Sequence, residues 1–463
     1  MKQRTRMLIA LAAASILLVG ASGCGKTPAE QVGAGDKIVV GMWQRVSVDS
    51  PQWVKDEDDR KFAALTEKFP NIEFNITNVP VGSDYRQDYD KALMAGNAPD
   101  FCVDFSYTDI PTRIKNKTVA DITELVANWE LKNQDKVITI FDEAICENEK
   151  WYAIPRSAYV QATMCNLRTI EAGGWDIEKL PTTWSEFTEM GIQVTDLGVP
   201  RYGYELLGMD WCAWPFTAWV WSAGGEMVRS NGDGTYKIAF NEEPAVDAAM
   251  FLNEMVWQHK MTQKNILNSY TDIQNDIKNG AAASAWARWW DLNDVDVLHS
   301  HGLSYDDFVL MAMPVKDASI PRPALSGGEV ITFNPKASKE VLNAAFEVAE
   351  FIYYDEELLA EEWRLKDERG ELNTEITARK DLFEKQMASN SMLSEKARQE
   401  IIAVSLNAKA EPFCPNWTDL KSQIVNPLQE ILLTENIPRE KAQELLDRCA
   451  DELYKLYPGS FRK

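Results

Sequence analysis

Lys37-Ile38-Val39-Val40-Gly41-Met42 is an apolar run that reads as a buried strand, closed by Trp43 and Gln44. Residues 57–69 then place Phe62, Leu65 and Phe69 on one helical face, and Pro70 ends that helix. Ile72, Phe74 and Ile76 alternate through residues 71–79, the period of a second strand. Ser83 is placed to cap a helix running to about Met94. Gly96-Asn97-Ala98-Pro99 makes a turn, and residues 100–105 form a third strand. Strand, helix, strand, helix, strand predicts a parallel, doubly wound α/β sheet.

Further along, residues 151–155 and 159–166 are extended. Thr183-Trp184-Ser185-Glu186 is a capping box that opens a helix, with Pro181 just upstream. Pro244 starts another helix, with Val246, Met250 and Val256 on its apolar face. Residues 281–290 read as an apolar strand and residues 329–333 as a short one. Ser338 caps a strong helix through Ala345, Val348 and Phe351. Pro438 begins a last helix with Leu445, Leu446, Cys449 and Leu453. There is no internal repeat.

The chain of 463 residues is too long for one compact core and fits two or three domains. Acids outnumber bases 71 to 48, a net charge of −23, which disfavours nucleic acid and anionic lipid as partners. Only His259, His299 and His301 are available for a metal, and the six cysteines beyond residue 24 show no C-x-x-C spacing. The short apolar runs around them suit buried free thiols. Trp is nearly as frequent as Phe, 16 against 17, and this excess points toward an aromatic binding surface.

Lys2, Arg4 and Arg6 precede an apolar run over residues 7–19, the pattern of a secretory signal. The run is too short for a transmembrane helix, which needs about 20 residues. Ala21-Ser22-Gly23-Cys24 resembles a bacterial lipobox, which implies cleavage after residue 23 and lipidation of Cys24. Residues 24–36 then form a flexible tether. Cleavage removes three bases and no acids, so the net charge moves from −23 to −26. Residues 20–27 also match the phosphate-loop pattern G-x-x-x-x-G-K-T. Pro28 and a polar segment follow instead of a helix with an apolar face, so nucleotide binding is not expected there.

Several landmarks fall in the order seen in family 1 extracellular solute-binding proteins. Phe69-Pro70-Asn71-Ile72-Glu73-Phe74 resembles that family's helix-to-strand step. Ala92-Leu93, Ala95-Gly96 and Ala98-Pro99-Asp100 resemble its A-L-x-x-G-x-A-P-D segment. Trp151-Tyr152-Ala153-Ile154-Pro155 is similar to its Y-A-I-P, Cys165-Asn166 to its Y-N, and residues 180–187 to its P-P-x-T-W-x-E-F. Gly224-Gly225, Gly280-Ala281-Ala282-Ala283 and Ser326-Gly327-Gly328 continue the series. The resemblance implies a periplasmic-binding-protein-like fold, with two doubly wound α/β domains joined by a hinge and the ligand cleft between them. The domains it implies are residues 37–156 with 329–370, and 157–328 with 371–463. It further implies a monomer that closes on a carbohydrate and delivers it to the permease subunits of an ABC importer, with no cofactor and no catalysis.

Sugar recognition needs flat apolar faces for the ring C–H groups and planar polar side chains for the hydroxyls. Trp43, Gln44 and Asp104 sit at strand carboxyl ends, where open α/β sheets bind ligands. Trp211-Cys212-Ala213-Trp214-Pro215 resembles a cleft segment of maltose-binding members of the family, which implies sugar stacking for Trp211. Trp214, Trp219 and Trp221 are expected in the core. The same resemblance implies stacking for Trp290 and places Trp417 near another cleft aromatic. Trp286, Arg288 and Trp289 compete by strand alternation. Arg156 and Tyr159 follow the first predicted crossing between domains, and Glu329 the second. Arg156 and Arg288 together suggest an anionic sugar. A secreted glycoside hydrolase or lyase and a carbohydrate-binding adhesin are the alternatives, although no G-x-S-x-G or H-E-x-x-H motif is present.

Overall fold

The computed structural model describes residues 37–463 except 47–48, 81–83 and 210. The predicted signal, tether and Cys24 lie outside the described residues, as does Ser83. Strand β1 (Ile38–Gln44) is followed by helix α1 (Gln52–Lys68), strand β2 (Ile72–Asn78), helix α2 (Tyr85–Ala95) and strand β3 (Phe101–Ser106). β1 and β2 pair in parallel, Ile38 opposite Ile72 through Gln44 opposite Asn78. Asp84 caps α2, accepting from the N–H groups of Arg86 and Gln87. Gly96 ends that helix with φ 79°, a left-handed turn that a Cβ would strain.

The 14-residue strand β4 (Ala153–Asn166) organises the rest. Downstream lie helices α3 (Trp184–Val194), α4 (Ala213–Ser222), α5 (Glu243–Trp257) and α6 (Tyr270–Asn279), strands β5 (Ser284–Ala287), β6 (Phe308–Met311) and β7 (Leu325–Phe333), and helix α7 (Lys339–Tyr354). Helices α8 (Trp417–Leu433) and α9 (Arg439–Leu456) complete the chain. The Thr183–Glu186 capping box of α3 forms with both of its hydrogen bonds, and Ser338 caps α7. The first half of β4 pairs antiparallel with β7, Ala153 opposite Thr332 through Gln161 opposite Leu325. Its second half pairs antiparallel with β5 and with β6. β7 also pairs antiparallel with β3.

The α/β class therefore matches the expectation, but the strand directions are more mixed than a wholly parallel sheet. β4 and β7 run past each other in opposite directions, so every strand hung on β4 is antiparallel to it. The extended stretch expected over residues 281–290 is a strand only to Ala287, and a 3₁₀ turn takes over at Trp289.

Core residues group along this long strand. Ile154 and Ala158 face cores built with Val40, Tyr89, Phe105, Ile331 and Phe346. Val160, Met164 and Cys165 face cores built with Ile273, Trp219, Trp286 and Leu446. Among the described residues no disulfide is formed, and five of the six cysteines are buried. No cluster of His, Cys, Asp and Glu fit for a metal occurs among them.

At the middle of the β4–β7 pair, Gly327 lies opposite Tyr159 and Gly328 opposite Ala158. A Cβ at Gly327 would fall 2.2 Å from the Tyr159 ring. A Cβ at Gly328 would fall 2.3 Å from the Phe141 ring and 2.5 Å from the Ser157 carbonyl. A backbone carbonyl cannot rotate away, so we expect Gly328→Ala to destabilise the protein by about 1–3 kcal/mol in urea denaturation.

Candidate functional site

Because Gly327 has no side chain, the Tyr159 ring lies across it and reaches the cleft beyond. There it meets Trp214 edge-on with ring centres 6.1 Å apart. The guanidinium of Arg288 sits 5.1 Å from the Tyr159 ring centre and 5.0 Å from that of Trp290. Trp214 lies in the first turn of α4 and Trp211 two residues before that helix, their rings near perpendicular at 6.2 Å. Tyr270, the first residue of α6, completes the wall at 5.7 Å from Trp211 and 6.4 Å from Trp214. Ser269 and Asp272 form a capping box that fixes where this helix begins, and so where Tyr270 points.

Asp291 holds these groups together from beneath. Its buried carboxylate accepts from the Tyr270 hydroxyl, from Gln274 Nε2 at 2.7 Å and from Arg288 Nε at 3.2 Å. Gln161 Nε2 donates to the Tyr270 oxygen at 2.9 Å. Burial, with Asp291 alongside, holds the Tyr270 phenol well above its usual range. Above this base Trp211 is 56% exposed and Trp290 46% exposed, which leaves indole faces open to solvent. The space between Trp211, Trp214, Tyr270, Gln274 and Arg288 is a cavity of about 510 Å³. An adjoining cavity of about 480 Å³ shares Trp211, Trp214 and Arg288 and extends to Arg86, Glu329 and Glu411.

An ionic cluster lies behind the aromatic wall. Arg156 on β4 bonds Glu329 on β7 at 2.9 Å and Asp104 on β3 at 3.4 Å. Arg45 adds a further contact to Asp104 at 3.5 Å. Burial pushes the Glu329 carboxyl above its ordinary range, with Glu375 and Asp104 adding to the rise and Arg156 opposing it. The other cations of the cleft are matched in the same way: Arg288 by Asp291, Arg86 by Asp109 at 3.1 Å, and Lys421 by Glu411 at 2.5 Å. Arg156 and Arg288 are therefore each paired with carboxylates in the cleft.

The sequence-derived candidates separate into groups. Tyr159, Trp211, Arg288 and Glu329 line the joined cavities, and Trp290 stacks beside Arg288. Asp104 and Arg156 form the ionic cluster. Trp43 packs edge-on against Tyr85 and Tyr89 and lines a separate cavity of about 600 Å³ with Gly41, Asn75 and Asp100. Gln44 donates to Asp58 on α1. Trp286, Trp289 and Trp417, expected at the cleft, are all three buried. Trp286 shares a strand face with Arg288 but lies two residues deeper, about 7 Å back along the strand and inside the core. Trp289 falls in the 3₁₀ turn and packs beneath the cleft floor with Leu292 and Tyr305. Trp417 opens α8 from within the core and donates its indole N–H to Glu411 at 2.9 Å. Trp214, expected in the core, lines the cleft instead. Tyr270, Gln274 and Glu411 were not foreseen. The Ser269-x-x-Asp272 capping box was the available signal for the first two.

A model of the bacterial extracellular solute-binding proteins matches residues 53–358. The chain belongs to that family. It is accordingly a substrate-binding protein and not an enzyme, so the hydrolase and lyase alternatives fall. Solved structures agree on the fold. An ABC transporter solute-binding protein from Thermotoga lettingae TMO, bound with α-D-tagatose, is 18% identical with TM-score 0.69. The match covers 91% of this chain and 100% of that one. The ABC substrate-binding protein Lmo0181 from Listeria monocytogenes, in complex with cycloalternan, is 16% identical with TM-score 0.70, covering 92% and 100%. UgpB from Mycobacterium tuberculosis, in complex with glycerophosphocholine, is 16% identical with TM-score 0.68, also covering 92% and 100%. No curated protein sequence matches. Among the described residues no helix is long and apolar enough to cross a membrane.

The two classes of tryptophan separate in a mutational test. Trp417→Ala empties a core site and is expected to cost about 3–5 kcal/mol of stability. Trp211→Ala, at a solvent-facing indole, is expected to change stability by no more than about 0.5 kcal/mol, read from the same denaturation curves.

Proposed function

We propose that this solute-binding protein captures a neutral oligosaccharide and hands it to an ABC importer. The observation that carries this reading is the joined cleft. The open indole face of Trp211 stands beside Trp214 and Tyr270, that of Trp290 lies against Arg288, and Gln274, Glu329 and Glu411 stand at the edges. Indole faces suit the C–H faces of pyranose rings, and the planar polar groups suit their hydroxyls. An oligosaccharide rather than one sugar ring fits because two adjoining cavities share the same aromatic wall. The α-D-tagatose and cycloalternan bound by two fold relatives support a sugar as ligand class. A neutral ligand follows from the charge pairing, since each cleft arginine or lysine named above already faces a carboxylate.

Two lobes close on this ligand, with crossings near residues 156, 328 and 370. Support comes from the change of core partners between Ala158 and Val160 on β4 and between Leu325 and Val330 on β7. The protein acts as a monomer, lipid-anchored at Cys24 on the extracellular face. An adhesin does not need such a closing cleft.

In a thermal-shift screen, neutral oligosaccharides should raise the melting temperature and acidic ones should not. Trp211→Ala and Trp290→Ala should each weaken binding about 10- to 100-fold, equivalent to about 1.4–2.8 kcal/mol. A shift produced only by uronic acids, or by no sugar, overturns the reading. Cys24→Ser should move the protein from the membrane fraction to the medium, as measured by immunoblot of the two fractions.

A further inference from the structure

Outside the ligand-lining residues, the described chain holds one buried carboxyl whose second oxygen has no hydrogen-bond donor and no ion pair. Glu205 is completely buried, on the segment that runs beside β5. Its backbone is fixed: the N–H donates to the Ser284 carbonyl at 2.8 Å, and the next N–H donates to Gln263 Oε1 at 3.0 Å. One carboxyl oxygen accepts from Asn268 Nδ2 at 2.7 Å. The other has no donor. From α6, Asp276 comes within hydrogen-bonding reach, and Asp272 lies farther off on the same helix. Tyr202, on the segment of Glu205 itself, is the remaining titratable neighbour. β5 contributes only Ser284 and Ala285. Neither Glu205 nor Asp276 forms an ion pair among the described residues.

A carboxyl that is fully buried and meets a second carboxyl with no cation beside it favours its neutral form. The orphan oxygen of Glu205 then carries the hydrogen and Asp276 accepts it. Both contacts of Glu205 fall on α6 or its entry. Asn268 immediately precedes the Ser269 cap and Tyr270. Asp276 lies less than two turns further along, just past Gln274. Glu205 thus grips the helix on both sides of the two residues that line the cleft.

We propose that Glu205, held as the neutral acid against Asp276, is a positioning residue for the ligand cleft, fixing α6 so that Tyr270 and Gln274 stand in place. This rests on the preceding reading only in taking that cleft as the ligand site. Burial, with Asp276 next, pushes the Glu205 carboxyl up to about 8. The sign follows from linkage. Below the ordinary carboxyl range, near 4.5, the acid is protonated whether the chain is folded or not. As the pH rises from there to about 8, the unfolded chain gives up the proton and the folded one keeps it, so this group's contribution to stability is progressively lost. Above that pH the fully buried Glu205 carboxylate faces the half-buried Asp276, and α6 loosens from its seat.

The test uses the full chain without any sugar, so it stands apart from the oligosaccharide screen. Acrylamide quenching of tryptophan fluorescence reports how well the cleft indoles are packed. In the unaltered protein, quenching should increase along one titration curve with its midpoint near pH 8. Glu205→Gln keeps the shape, accepts from Asn268 and donates to Asp276, so it should abolish the transition. Asp276→Asn removes the opposing charge and should move the midpoint down. Trp211→Phe should remove most of the pH-dependent part of the signal, placing the change at the cleft. Flat quenching from pH 6.5 to 9.5 in the unaltered protein overturns the proposal. So does a transition that survives in Glu205→Gln, or one unmoved in Asp276→Asn.

Discussion

The antiparallel contact between β4 and β7 is the constraint on which the other features depend. Two bare glycines at its centre let the rings of Tyr159 and Phe141 occupy space that side chains would otherwise fill. Tyr159 is thereby aimed at the cleft and Phe141 at the core behind it. Strands β3, β5 and β6 all attach to this pair, so it sets the position of Asp104 on one side and Arg288 on the other. A close-packed interior transmits such a placement because there is little slack to absorb it.

The cleft is built ahead of its ligand. Asp291 gathers Tyr270, Gln274 and Arg288 from two elements onto one buried carboxylate. Glu411 does the same for Trp417 and Lys421. A side chain already held in place loses less freedom when a ligand arrives, and such prepayment raises affinity without new contacts. The same pairing cancels charge locally. A chain of strongly negative net charge can then hold a cleft whose named cations are each matched by a carboxylate.

Local signals in the sequence were reliable where the physics is local. The capping box at Thr183, the cap at Ser338 and the strand read from Ile72, Phe74 and Ile76 each involve residues within one turn or one strand, and each appears in the structure, although Ile76 itself is exposed. Strand direction was less legible, because hydrophobic alternation is identical in parallel and antiparallel ladders. The cap of α2 shows a finer limit. Ser83 and Asp84 are both good caps, and chemistry alone does not choose between neighbours.

The tryptophans mark the boundary most clearly. Composition and family pattern by themselves determined that this is an α/β solute-binding fold with an excess of tryptophan. They did not sort those side chains. Trp211 and Trp214 are three residues apart at the entry to α4 and both reach the cleft, whereas Trp286 lies within β5, Arg288 just past its end, and the two part company by depth. Trp417 looked like a cleft residue and is core. Hydrophobicity is the same at every one of these tryptophans, so periodicity can assign a face but not a distance from solvent. Only the crossing of β4 and β7, and the helices laid against it, decides how deep each indole lies.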